Sequence, residues 1–107
     1  MSNRNMYKEA IETFGPVTQL VVAIEELSEL QKELCKYLRG KGDVSKIAEE
    51  VADVEIMMTQ CKYIFDITSK VKGHKAGKLF RLESRIDNFK SNSGVYSEKT
   101  YKEIDHE

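Results

Sequence analysis

The chain has 107 residues, 17 basic and 18 acidic side chains and a net charge of −1. That length suits one domain, and so even a balance offers no global attraction to nucleic acid or to an acidic membrane surface. One proline, no tryptophan and a charged fraction of one third suit a helical protein with solvated outer faces.

The expected elements follow in chain order. Met6 to Phe14 reads as a short first helix, ended by Gly15-Pro16, with Pro16 able to open the next helix at its first position. From Val17 to about Arg39 the residues Leu20, Val21, Ile24, Leu27, Leu30, Leu34 and Leu38 recur at steps of three and four, the stripe of one long helix. Gly40-Lys41-Gly42-Asp43 reads as a turn in which Gly stops one helix and Asp43 caps the next. The third helix, Val44 to about Phe65, carries Ile47, Val51, Val54, Met58, Cys61 and Phe65 as its stripe. Asp66 is the expected cap of a fourth helix, Ile67 to about Asn88, with Val71, Leu79, Leu82, Ile86 and Phe89 on its apolar side. Ser91-Asn92-Ser93-Gly94 reads as a linker, and Ser97 to Ile104 as a short capped helix or a frayed end. The expectation is an all-α bundle of about four helices, residues 1–90, followed by a polar tail, residues 91–107.

Cys35 and Cys61 are too few for a disulfide scaffold and are not spaced as metal ligands. They read as reduced thiols in a cytoplasmic protein. No apolar run approaches a membrane span, and the first residues lack the apolar stretch of a signal peptide.

The chemistry concentrates in four carboxylates. Glu26 and Glu29 lie three residues apart on the second helix, Glu50 and Asp53 three apart on the third, so each pair leaves one helix face about one turn apart. Two such pairs on successive helices resemble a cage for a hard divalent cation, Mg²⁺ with Mn²⁺ as the alternative. Rotation by about 100° per residue places Glu25, Glu26, Glu29 and Glu33 beside the leucine stripe, whereas Glu50 falls inside the apolar arc of its helix and Asp53 at the edge. A carboxylate among core residues must be protonated, paired or metal-bound. Three readings stand: a metal cage, a core carboxylate paired to a cation of the basic fourth helix, and ordinary surface acids. A di-iron bundle needs Glu-x-x-His pairs, and neither His74 nor His106 follows a Glu by three residues.

Glu25-Glu26-x-x-Glu29, a spacer of 20 residues and Glu50-x-x-Asp53 resemble the signature of the MazG-like all-α nucleoside triphosphate pyrophosphohydrolases. Phe14-Gly15, Gln19 and Ala23-Ile24 before the first motif, and Lys78-x-x-Arg81-Leu82-x-x-Arg85-Ile86 after the second, extend the resemblance over residues 13 to 88. It implies a bundle completed by a second subunit, as a homodimer or homotetramer, and hydrolysis of a nucleoside triphosphate between the α- and β-phosphates with Mg²⁺. Carried over, Glu26, Glu29, Glu50 and Asp53 are metal ligands, and Glu25 and Glu50 the catalytic carboxylates, Glu25 orienting water or joining a second metal. Gln19 is a candidate for the base. Lys78 and Arg81, within the stripe Lys75, Lys78, Arg81 and Arg85, are candidates for the outer phosphates, with a solvated flank as the plain alternative. Lys36, Arg39 and Lys41 form a second candidate cluster. The chain lacks a Gly-x-x-x-x-Gly-Lys-Ser/Thr loop, and its serines and cysteines lack a plausible His partner, which leaves a metal-activated water as nucleophile. The reading from a different class is a non-catalytic helical module that binds a partner protein.

Overall fold

The computed structural model describes residues 2–104, with side chains to residue 92. The described residues form four α-helices and no strand: α1 (Asn3–Phe14), α2 (Pro16–Leu38), α3 (Val44–Ile64) and α4 (Thr68–Ile104). Two compact units result, one ending at Thr68 and one beginning at Ser69.

The first unit is a short helix set against a helical hairpin, and its joints follow from local chemistry. Ser2 caps α1, its Oγ accepting from the Asn5 amide at 3.2 Å. Gly15, at φ 92°, adopts a backbone that favours glycine and turns the chain into α2, where Pro16 occupies the first turn and gives up only an amide without a helical partner. The end of α2 is closed by Gly40 at φ 77°: its amide donates to the Tyr37 carbonyl and that of Lys41 to Lys36, the paired bonds of a Schellman motif. Gly42 is required for another reason. A Cβ there would overlap the Tyr37 backbone and approach Tyr37 Cβ to 2.6 Å, so the turn can lie against α2 only without a side chain. Asp43 then caps α3, its Oδ1 accepting from the Ser45 amide at 2.9 Å.

Asp66 does not do what its sequence suggests. It sits at φ 53° and closes α3: its own amide donates to Tyr63 and the Ile67 amide to Lys62. This repeats the Gly40 geometry with an aspartate, one of the few side chains that tolerate left-handed backbone. The second unit is the helix α4, which runs on to Ile104 and replaces the expected linker at Ser91–Gly94. Ser, Asn and Gly each weaken a helix by about 1 kcal/mol or less relative to Ala, so local propensity alone does not enforce a break. Residues 105–107 of the expected tail lie outside the described residues.

Within the first unit α2 and α3 make the main contact, and α1 packs on both. Tyr7 and Tyr63 meet with ring centroids 6.2 Å apart, and Lys8 Nζ stands 5.9 Å above the Tyr63 ring. The leucine stripe of α2 is not the face that this helix buries in the first unit. Val21, Ile24, Leu27, Leu34 and Leu38 are exposed, Ile24 by 67%, while the buried residues of α2 are Gln19, Ala23 and Glu33. On α3 they are Glu50, Met57 and Gln60. The helices therefore meet along the face that runs 19–23–26–30–33, where Ala23 permits close approach opposite a buried Met57 and Gln19 Nε2 donates to Gln60 Oε1 at 2.8 Å. The aliphatic stripe lies largely beside that face: Leu20 and Leu30 at its edge are half-buried, and the rest of the stripe is exposed.

Candidate metal centre

The pairing along that polar face brings acids of both helices together. Glu26 of α2 and Glu50 and Asp53 of α3 each offer an oxygen, and these oxygens all lie within 4.8 Å of one another. The three differ in exposure: Asp53 is exposed, Glu26 half-buried and Glu50 only 6% exposed. The Glu26 carboxyl is pushed above its ordinary value, first by burial, then by Asp53, whose carboxyl lies at hydrogen-bonding distance, and then by Glu50 and Glu29. Like charges are thus crowded at this point.

Glu50 is the most telling member. Its Oε2 is buried and has no hydrogen-bond partner among the described residues. Its Oε1 is paired with Lys46 Nζ at 3.5 Å, one turn earlier on the same helix. This ion pair is internal to α3. An unpartnered buried carboxylate oxygen costs on the order of 1–3 kcal/mol or more. An oxygen-binding cation at the cluster relieves that cost, and three carboxylate donors suit Mg²⁺ or Mn²⁺, so the residues present fit such an ion.

Lys46 and Glu33 were not singled out from sequence. Lys46 also lies 3.9 Å from Glu49 Oε2, and its ammonium is held above its ordinary value by Glu49 first and then by the bond to Glu50. Glu33, 5% exposed, accepts from Lys36 Nζ at 3.4 Å. Glu33 continues the spacing 19–23–26–30–33 along which α2 is buried or half-buried, whereas Lys46 stands at the i, i+4 spacing of an ordinary surface pair, which is a weak signal.

The remaining expected site residues are placed as follows. Glu29 is exposed and lies outside the three-residue group, although its charge still acts on Glu26. Glu25 is exposed on α2. Gln19 is buried and its amide nitrogen is committed to Gln60, whose own amide reaches Met57 Sδ at 3.7 Å. Lys78 and Arg81, with Lys75 and Arg85, are exposed on α4 in the second unit. A cavity of about 610 Å³ opens elsewhere in the first unit, between Arg4, Lys8 and Glu12 of α1 and Tyr63, Asp66 and Thr68. None of the clustered carboxylates lines it, and its cationic and anionic walls balance.

No helix among the described residues is long and apolar enough to cross a membrane. No protein-family model, curated protein or solved structure matches the chain.

Proposed function

We propose that the chain is a metal-dependent nucleoside triphosphate pyrophosphohydrolase of the MazG-like kind, yielding a monophosphate and pyrophosphate. One observation carries this reading. The two halves of the sequence signature, 20 residues apart, meet in the folded hairpin as Glu26 against Glu50 and Asp53, and Glu50 carries a buried carboxylate oxygen with no hydrogen-bond partner among the described residues. Neither an ordinary surface acid nor a satisfied core ion pair has that property.

In this reading Glu26, Glu50 and Asp53 hold Mg²⁺ or Mn²⁺, with Glu29 a further acid one turn from Glu26. The bound ion supplies charge neutralisation to the phosphates and lowers the pKa of a water. The protein groups do the rest. Burial of Glu50 keeps bulk water from one of its oxygens, so that charge there is less screened than on the exposed Asp53. Glu25, exposed beside Glu26, is the candidate to orient water. Lys78 and Arg81 are the candidates to meet the charge that develops on departing pyrophosphate. Gln19 enters as a helix tether through Gln60 and contacts a base only if that bond opens. The exposed aliphatic stripe of α2 is covered in this reading by a second copy, as a homodimer or homotetramer, since an apolar strip of that length is seldom left to water. Free Cys35 and Cys61 suit the cytoplasmic compartment of the same proposal.

The test is incubation of the purified chain with a panel of ribo- and deoxyribonucleoside triphosphates and Mg²⁺, reading monophosphate and pyrophosphate directly. Orthophosphate as the primary product, or no turnover across the panel, refutes the reading. The second reading, a non-catalytic helical module, is favoured by the same exposed stripe on α2. It predicts no turnover together with capture of a partner helix.

A further inference from the structure

We propose that Lys46 is a positioning residue for the carboxylate cluster: its ammonium group holds one oxygen of Glu50, so that the other is kept available for a divalent cation. The inference rests on the metal reading above and adds to it a residue that is not among the clustered acids.

The geometry is specific. Lys46 Nζ stands 3.5 Å from Glu50 Oε1, the one ion pair to Glu50 among the described residues, and Glu50 Oε2 is left buried and unpartnered. Glu49 Oε2, at 3.9 Å on the outer side, holds the same ammonium, so the lysine is tethered from two directions. A glutamate has three rotatable side-chain torsions. Without an anchor its carboxylate samples several orientations, of which few place an oxygen near Glu26 and Asp53. Groups that orient a metal ligand typically alter affinity by about 10- to 100-fold when removed.

A competing effect has the opposite sign. A positive charge next to a ligand repels an incoming cation, and on that ground alone loss of Lys46 should tighten metal binding. Two observations decide between them. The Lys46 side chain is 46% exposed, so its field is weakened by water and salt, whereas Glu50 is 8% exposed in its side chain and cannot replace the lost partner with bulk solvent. Anchoring acts at the 3.5 Å contact with Glu50, where screening is least, so it should prevail.

The experiment is calorimetric titration of the full chain with Mn²⁺ alone, for the wild type, Lys46→Met, Lys46→Gln and Lys46→Arg, alongside circular dichroism in EDTA. The expected order of affinity is wild type and Lys46→Arg together, then Lys46→Gln, which keeps a donor without the charge, then Lys46→Met about 10-fold weaker, with helix content unchanged. Equal or tighter binding by Lys46→Met overturns the inference and leaves the metal site standing. If that variant does not fold, Lys46→Gln decides by the same criterion against Lys46→Arg. Absence of Mn²⁺ binding to the wild type overturns the metal reading and this inference with it.

Discussion

The two faces of α2 invert the usual rule. One presents Gln19, Ala23, Glu26 and Glu33 and is packed against α3; the other presents Val21, Ile24, Leu27, Leu34 and Leu38 and is exposed. A hairpin that buries amides and acids while leaving leucines in water is not organised for its own stability. Its polar face sets two helices in register so that carboxylates meet, and its aliphatic face is left exposed. Burial and hydrophobicity therefore report different things along one helix.

The largest expected effect lies on the packed face. Glu50→Gln keeps the shape of the side chain but removes the charge that a cation needs, and turnover should fall by about 100-fold or more while the helices persist. Retained turnover would detach the buried carboxylate from the chemistry. Next is the response to metal: saturation at about 100 times the dissociation constant should stabilise the chain by about 2.7 kcal/mol, read as a rise in melting temperature that EDTA abolishes and Glu50→Gln lacks. No rise at millimolar Mg²⁺ or Mn²⁺ would leave the acids a structural feature only.

The two faces can be compared directly by single substitutions. Gln19→Ala leaves the Gln60 amide buried without its partner and should cost about 1–3 kcal/mol in denaturant unfolding. Ile24→Gln on the exposed face should change the stability of an isolated chain by no more than about 0.5 kcal/mol. If a second copy covers that face, the same substitution should instead dissociate the assembly, seen as a fall in mass by light scattering. A larger cost for Ile24→Gln with no change in mass would mean the stripe is packed within the chain.

The smallest effect is a pH dependence. Glu26 is held above the usual carboxylate value of 4.5, so the folded state binds its proton more tightly than the unfolded chain does. The stabilisation from that proton is complete below 4.5 and is lost as pH rises through the raised folded value. In EDTA, Glu26→Gln should melt above the wild type near neutral pH, and the gap should close on acidification to about pH 4. A gap that is constant across that range would place the crowding of charge elsewhere.

Much of this was legible in the sequence where local chemistry decides. Pro16 opens α2 and Asp43 caps α3 as expected, because those signals involve only a few neighbouring backbone groups. Glu50 was placed among core residues by periodicity alone, and it is buried. Its ion-pair partner Lys46 lies one turn away on the same helix, and an i, i+4 lysine is so common on surfaces that it carries little signal. Asp66, by residue type, favours the beginning of a helix, and its place at the end of α3 is decided by the left-handed backbone there. The exposed leucine stripe marks a limit of what periodicity can say. Hydrophobic periodicity identifies a face that prefers to leave water, but it cannot say whether this chain or a second one will cover it.

The Gly40–Asp43 turn has a consequence for the order in which the first unit assembles. It joins α2 to α3 with so few residues that the contacts nearest to it close the shortest loops, and loop-closure entropy grows with separation. The hairpin should therefore zip from the turn outward. The carboxylates, 24 to 27 residues apart in the chain, should meet before Gln19 reaches Gln60, 41 residues away. Mutual repulsion of those acids then falls on an early stage of folding. Divalent cations should accelerate refolding as well as slow unfolding, which separates a cation that acts while the hairpin closes from one that only binds the finished structure.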